Sequence, residues 1–97
     1  MSIDLEPQIL EKIKATILSD KVKDIILFGS RAKGSAKNGS DIDIAIVSDN
    51  LSFKEICGLG VKIDDFNLPY KVDIIDYNSI TNQELKNHID RVGVHIK

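Results

Sequence analysis

Three aspartates stand at positions that could bring their carboxylates together. Asp41 and Asp43 are two residues apart in an alternating stretch, so both project from one face of a predicted strand. Asp73 lies between Val72 and Ile74, where a charge is costly unless it is paired or bound to a metal. Magnesium takes hard oxygen ligands, commonly one or two carboxylates together with substrate phosphates and water. If the strand that carries Asp73 lies beside the strand of Asp41 and Asp43 in the same register, the three carboxylates could hold two Mg²⁺ ions about 4 Å apart. In-line phosphoryl chemistry uses such a pair of ions.

The aspartates also have less specific interpretations. An isolated Asp-x-Asp pair is more often a solvated polar face than a metal site, and Asp73 is the residue that favours the metal. Asp73 would then act as a base or as a bridging metal ligand. Asp76 is a competing candidate, but its place at the end of the same predicted strand indicates a turn residue.

A glycine–serine pair, Gly29-Ser30, follows a short apolar run and could bind an anion. Glycine lets the backbone turn tightly and leaves no side chain in the way of a ligand. If residues 30–33 begin a helical turn, its free N–H groups favour an anion. Arg31 and Lys33 could contact phosphates or pair with acidic neighbours, and the sequence does not choose between these roles. Alone, the Gly29-Ser30 pair is a weak signal.

The hydrophobic pattern predicts a sheet covered mainly by helices, an α/β (α+β) fold in one domain over residues 1–97. Two helix starts have capping-box spacing, Ser52 with Glu55 and Thr81 with Glu84. The predicted elements are a helix over 7–18, strands over 25–28, 41–47 and 71–76, a loop over 34–40, helices from 52 and from 81 to about 91, and an edge strand over 94–96.

Composition and charge narrow the range of ligands and locations that we expect for the chain. The chain has 97 residues, one cysteine and a net charge of −2, with no basic stripe of the kind that grips a long polyanion. We therefore expect a small phosphorylated ligand rather than extended nucleic acid. No stretch approaches the ~20 apolar residues that span a bilayer, and the lone Cys57 permits no internal disulfide, so we expect no membrane association and a cytoplasmic location.

The combined motifs resemble the minimal nucleotidyltransferase family of the DNA polymerase β superfamily. The resemblance covers about residues 25–96 and rests on three segments, Gly29-Ser30-Arg31-Ala32-Lys33-Gly34, Ser40-Asp41-Ile42-Asp43-Ile44-Ala45 and Val72-Asp73-Ile74. It implies the polymerase β-like fold with a small mixed β-sheet. It also implies that Gly29 and Ser30 hold the phosphates of ATP, with the adjacent Arg31 as a further candidate, while the three aspartates bind Mg²⁺ and carry catalysis.

The same resemblance implies a partner. Minimal members commonly pair with a small all-helical HEPN-type protein as the antitoxin of a toxin–antitoxin couple, and some transfer AMP from ATP to a tyrosine of the toxin. Within 97 residues there is no space for the further helical domain of larger superfamily members. Either a partner completes the site or the chain binds without turnover. The oligomeric state, the acceptor and the base preference stay open.

Two other functions could use parts of this pattern. A binding module could neutralise a helical partner by occlusion, with the carboxylates vestigial or regulatory. Aspartyl-phosphate phosphatases also use Asp-x-Asp, but their first aspartate follows a hydrophobic strand, whereas polar residues 38–40 precede Asp41 here. That class is therefore disfavoured.

The remaining notable residues have structural interpretations. His88 is distant in sequence from the aspartates, so we expect a structural or solvent role. Cys57 is expected to be a buried small residue. Gly58 and Gly60 would weaken their helix by ~1 kcal/mol each relative to alanine, and close contact between helix and sheet would explain them.

Overall fold

The computed structural model describes residues 6–29 and 41–97, which form three helices and four strands with one 3₁₀ turn. None of these helices is long and apolar enough to cross a membrane. In chain order the elements are α1 (Pro7–Ile17), β1 (Val22–Phe28), β2 (Ile42–Ser48), α2 (Phe53–Asp64), β3 (Val72–Asp76), the 3₁₀ turn (Tyr77–Ser79), α3 (Gln83–Val92) and β4 (Val94–His95).

The four strands form one mixed sheet in the order β3-β2-β1-β4. β1 pairs antiparallel with both β2 and β4, whereas β2 and β3 are parallel. Parallel neighbours need a crossover connection, which α2 supplies between β2 and β3. The predicted α+β class, with a small mixed sheet covered by helices, is confirmed.

Both faces of the sheet carry a hydrophobic core. Consecutive residues of β1 are buried on alternate sides, as its apolar run predicts. One cluster joins α1 and α2 to the sheet through Ile13, Ile17, Ile25, Leu27, Ile42, Ile44, Ile46 and Ile63. The other joins α3 to the opposite face through Ile26, Phe28, Ala45 and Ile89. The second cluster lies on the face that bears the aspartates.

Helix α2 begins where the sequence predicts. The Ser52 hydroxyl accepts from the Glu55 N–H at 3.1 Å, and a Glu55 carboxylate oxygen accepts from the Ser52 N–H at 3.4 Å. The capping box is therefore complete. Lys21 also binds Glu55, and these contacts lower the pKa of the Glu55 carboxyl, with the Lys21 hydrogen bond as the largest cause.

The predicted start of α3 is wrong by one residue. Asn82, not Thr81, is the N-cap, and its side-chain oxygen accepts from the N–H groups of Glu84 at 2.9 Å and Leu85 at 3.2 Å. Asparagine is as good a cap as threonine or better, so adjacent candidates could not be separated by type. The helix ends as predicted at Gly93, whose N–H donates to Ile89 O at 2.7 Å.

Two expectations for α2 are also wrong. Cys57 is exposed, because the buried residues of this helix are Ile56 and Ile63 and position 57 turns away from them. A side chain at Gly58 or Gly60 would meet no atom within 4 Å, so close approach to the sheet does not explain either glycine.

β1 begins at Val22, three residues before the apolar run, and includes the exposed Lys23.

Candidate active site

The strand register sets the three aspartates on one face at one end of the sheet. Asp43 on β2 and Asp73 on β3 are direct partners in the parallel pairing, and in-register neighbours point to the same side. Asp41 stands two residues before Asp43, just ahead of β2, and therefore shares its face. Ala45 and Phe28, on the side that α3 covers, continue the same face.

The electrostatics of Asp43 reflect this crowding. Its pKa is raised, first by burial and then by the negative charges of Asp73 and Asp41. Neighbouring negative charges disfavour the ionisation of a carboxyl group unless a cation balances them. The arrangement therefore favours a bound positive charge at this end of the sheet.

Gly29 brings the end of β1 against the same carboxylate. Its φ of +78° lies in the left-handed region that favours glycine. A β-carbon at this position would stand 2.5 Å from Oδ2 of Asp43. Phe28, the preceding residue, is paired with Asp43 across the antiparallel β1–β2 ladder. Glycine is thus required twice, for the turn and for the approach to Asp43.

Several predicted phosphate-binding residues lie outside the part of the chain that the structure describes. These are Ser30 and Arg31, together with Lys33, the proposed helical turn over 30–33 and the loop over 34–40. Their roles stay predictions. The site as described consists of the glycine turn and the three aspartates.

His88 is a neighbour of the site that its distance in sequence did not indicate. The imidazole on α3 stands edge-on to Phe28, with ring centroids 6.4 Å apart and an interplanar angle of 81°. It lies close enough to Asp43 to lower the pKa of that carboxyl, against the larger upward effects. Helix phase was the available signal, because His88 stands three residues after Leu85, which packs with Ile89 on this face of the sheet.

Asp76 does not join the site. One carboxylate oxygen accepts from the Asn78 N–H at 3.1 Å and the other from the Ser79 hydroxyl at 2.8 Å. These contacts cap the 3₁₀ turn at the far end of β3 from Asp73. The predicted turn role of Asp76 agrees with this geometry.

The donor set fits magnesium as a cation shared with a substrate. Within residues 6–29 and 41–97, no three histidine, cysteine or acidic side chains are gathered as a ready-made metal site. Mg²⁺ rarely uses an all-protein cage and usually combines one or two carboxylates with phosphates and water. Asp41, Asp43 and Asp73 offer that hard oxygen chemistry, and the charge crowding at Asp43 gives a reason for a cation to bind.

A cavity of about 420 Å³ lies elsewhere, between the N-terminal ends of α2 and α3. Phe53, Ile74, Ile80 and Leu85 are among its mostly apolar lining residues, and none of the three aspartates lines it. The three carboxylates are the better candidates for phosphate chemistry, because an apolar cleft offers little to a triphosphate.

A glycine turn facing aspartates on two adjacent strands is the arrangement that phosphoryl-transfer sites use to hold phosphates and divalent cations. Residues 11–97 match the family described as Polymerase beta, Nucleotidyltransferase, and the chain belongs to that family of nucleotidyltransferases. It is 36% identical over 98 residues to "Probable protein adenylyltransferase MntA" of Haemophilus influenzae, covering 98% of this chain and 84% of the relative. A protein of Methanocaldococcus jannaschii, also named as a protein adenylyltransferase, is 37% identical over 91 residues, 92% of each chain.

Solved structures with a similar fold include toxin–antitoxin complexes. One, a toxin–antitoxin with AMP-PNP, has a TM-score of 0.73 and 28% identity, over 94% of this chain and 72% of that chain. Another is a tri-AMPylated Shewanella oneidensis HEPN toxin in complex with MNT antitoxin, with a TM-score of 0.72 and 26% identity over 94% and 71% of the two chains.

Proposed function

We propose that this chain is a magnesium-dependent adenylyltransferase that transfers AMP from ATP to a hydroxyl group, a tyrosine of a HEPN-type partner, as the antitoxin of a toxin–antitoxin pair. The observation that carries the proposal is the in-register pairing of Asp43 with Asp73 beside Gly29. Relatives named as protein adenylyltransferases and a neighbour whose HEPN toxin is AMPylated support the transfer of AMP to a protein.

Each residue has a separate task in this proposal. The Gly29 turn, with Ser30 and Arg31 after it, binds the phosphates of ATP, because a turn without a side chain exposes backbone N–H groups to an anion. Asp41, Asp43 and Asp73 would hold Mg²⁺. When bound, Mg²⁺ supplies charge neutralisation for the triphosphate and lowers the pKa of the attacking hydroxyl.

The reaction itself needs little covalent participation by the protein. The acceptor oxygen attacks the α-phosphorus of ATP, a new P–O bond forms, and the bond to the departing pyrophosphate breaks. The proton of the acceptor hydroxyl passes to the Asp73 carboxylate if that residue is the base, or to water if Asp73 is a bridging ligand. Catalysis is then mainly positioning and charge stabilisation, as is typical of phosphoryl transfer.

Labelled ATP tests the proposal directly. The chain would be incubated with α-labelled ATP, Mg²⁺ and the small helical protein that co-purifies with it from the host. We expect label on that partner, its loss with EDTA or Asp43→Asn, and its retention in Asp49→Asn, an acidic control at the opposite end of β2 from Asp43. A tight complex that never acquires label would contradict the enzyme and support neutralisation by occlusion. Full transfer by Asp43→Asn would contradict the assigned metal site.

A further inference from the structure

Lys71 places a positive charge beside Asp73, one of the three aspartates. Its ammonium nitrogen lies 3.8 Å from Oδ1 of Asp73. The two residues are two apart along an extended chain, so they point to the same side of the sheet. The carbonyl of Lys71 accepts from the Ile42 N–H at 2.8 Å, which fixes the base of this side chain to β2.

The register also places Lys71 across from Asp41. Ile42 and Val72 are paired, so Asp41 and Lys71 occupy the corresponding positions one residue earlier on the two chain segments. Lys71 is therefore flanked by Asp41 and by Asp73. No other lysine or arginine in residues 6–29 and 41–97 forms an ion pair with the three aspartates.

The Lys71–Asp73 ion pair is a poor candidate for a structural contact. The Lys71 side chain is 72% exposed and that of Asp73 is 45% exposed, at the long end of ion-pair distances. Exposed pairs of this kind contribute little to folding. A lysine side chain is a compact charge on a flexible stem, and lysine is a common phosphate ligand. Lys71 can thus leave Asp73 at small cost to the fold.

We propose that Lys71 is a phosphate-binding residue of this site, which neutralises Asp73 in the free protein and moves to the triphosphate of the nucleotide when the site is loaded. The inference rests on the proposed function and extends it by one residue. Asp73 oxygens that bind a divalent cation are no longer available to the ammonium. The incoming triphosphate is then the strongest anion within reach of Lys71.

Two binding titrations test this inference without any turnover. The first measures Mn²⁺ binding to the protein without nucleotide, and the second measures AMP-PNP binding with Mn²⁺ present. We expect Lys71→Gln to tighten Mn²⁺ binding by about two- to fivefold, since a competing exposed ion pair is removed. We expect the same variant to weaken AMP-PNP binding by about tenfold, since a charged phosphate contact is lost. Lys71→Arg should keep AMP-PNP affinity within about threefold.

Lys23→Gln is the matched control. Lys23 is also exposed and paired with an aspartate, Asp49, at 2.9 Å, but at the other end of the sheet. The Lys23→Gln variant loses the same charge as Lys71→Gln but far from the three aspartates of the site, so it should change neither titration. Thermal melting should show that both variants are folded.

The two titrations separate the outcomes. Tighter Mn²⁺ binding by Lys71→Gln with unchanged AMP-PNP affinity would reduce Lys71 to charge screening and overturn the phosphate role, as would no change in either. If Lys71→Gln matches the wild type while Asp43→Asn loses Mn²⁺-dependent AMP-PNP binding, the Lys71 inference fails and the proposed function stands. A wild-type protein that binds neither probe would overturn both.

Discussion

The folded chain favours the protonated form of Asp43, whereas a metal site needs the ionised form. Burial and two neighbouring carboxylates raise its pKa, so its ionised form is less favourable in the folded chain than in the unfolded chain. The contribution of a group with a raised pKa is fully present below its unfolded pKa and is lost as pH rises through its folded pKa. At neutral pH, ionised Asp43 therefore destabilises the metal-free protein.

Asp43→Asn should consequently stabilise the metal-free protein while abolishing transfer. We expect a gain of about 0.5–1 kcal/mol at pH 7, the scale of a charge pair between adjacent strands. The gain should disappear at acid pH, where Asp43 is protonated. Thermal melting with EDTA at both pH values measures this. A loss of stability at pH 7 would contradict the charge crowding.

Gly29→Ala should damage both the fold and the site. A left-handed backbone costs a residue with a β-carbon about 1–2 kcal/mol, and the added carbon would displace the Asp43 carboxylate. Gly58→Ala is the control, because its helical position has open space, and it should stabilise by about 0.5–1 kcal/mol. Melting temperature and AMP transfer would be measured for both. Equal behaviour of the two variants would refute the special role of Gly29.

Alternation along a strand was enough to place Asp41 and Asp43 on one face from sequence, and the β2–β3 register adds Asp73 to it. The proximity of His88 could not be predicted in the same way, because it depends on which face of the sheet α3 covers. The exposure of Cys57 and the open space at the two glycines of α2 do not follow from residue type, because they depend on the phase of the helix.

Among the helices, α3 combines a capped N-terminus with a residue that lies near the aspartates. It packs on the aspartate-bearing face through Ile89 and carries His88 toward Asp43. The sequence predicted this helix and its glycine stop but not its cap, because Thr81 and Asn82 are both suitable residues. Only side-chain geometry distinguishes them.

Asn82→Ala should destabilise the domain by about 1 kcal/mol, because two N–H groups at the start of α3 lose their acceptor. Thr81→Ala should change stability by less than about 0.5 kcal/mol, because Thr81 is exposed and the capping hydrogen bonds go to Asn82. Urea denaturation of the two variants makes the comparison. A larger cost for Thr81→Ala than for Asn82→Ala would show that the cap is misassigned.

At the scale of the whole molecule, the sequence predicted the strands and helices better than their arrangement. Apolar runs located the three long strands, but nothing in them states that β1 and β2 are antiparallel while β2 and β3 are parallel. The crossover through α2 is the physical reason for the parallel pair. The helical turn predicted over 30–33 lies outside the described residues and stays a prediction.

The net charge of −2 leads to a prediction about competing ligands. Because phosphate contacts supply most of the affinity for nucleic acids, a chain without a basic stripe should bind them weakly. We expect excess single-stranded RNA to leave AMP transfer unchanged at physiological salt. Inhibition that is relieved by raising the salt concentration would indicate a polyanion site that the overall charge does not reveal.

We propose that carboxylates on and beside β2 and β3 form one divalent-cation site with the nucleotide. Electron paramagnetic resonance of Mn²⁺ with AMP-PNP tests it in the wild type and in Asp41→Asn, Asp43→Asn and Asp73→Asn. We predict at least about tenfold weaker Mn²⁺ binding in each variant, since even partners outside the coordination sphere cost this much. Wild-type Mn²⁺ affinity in Asp73→Asn would contradict the claim.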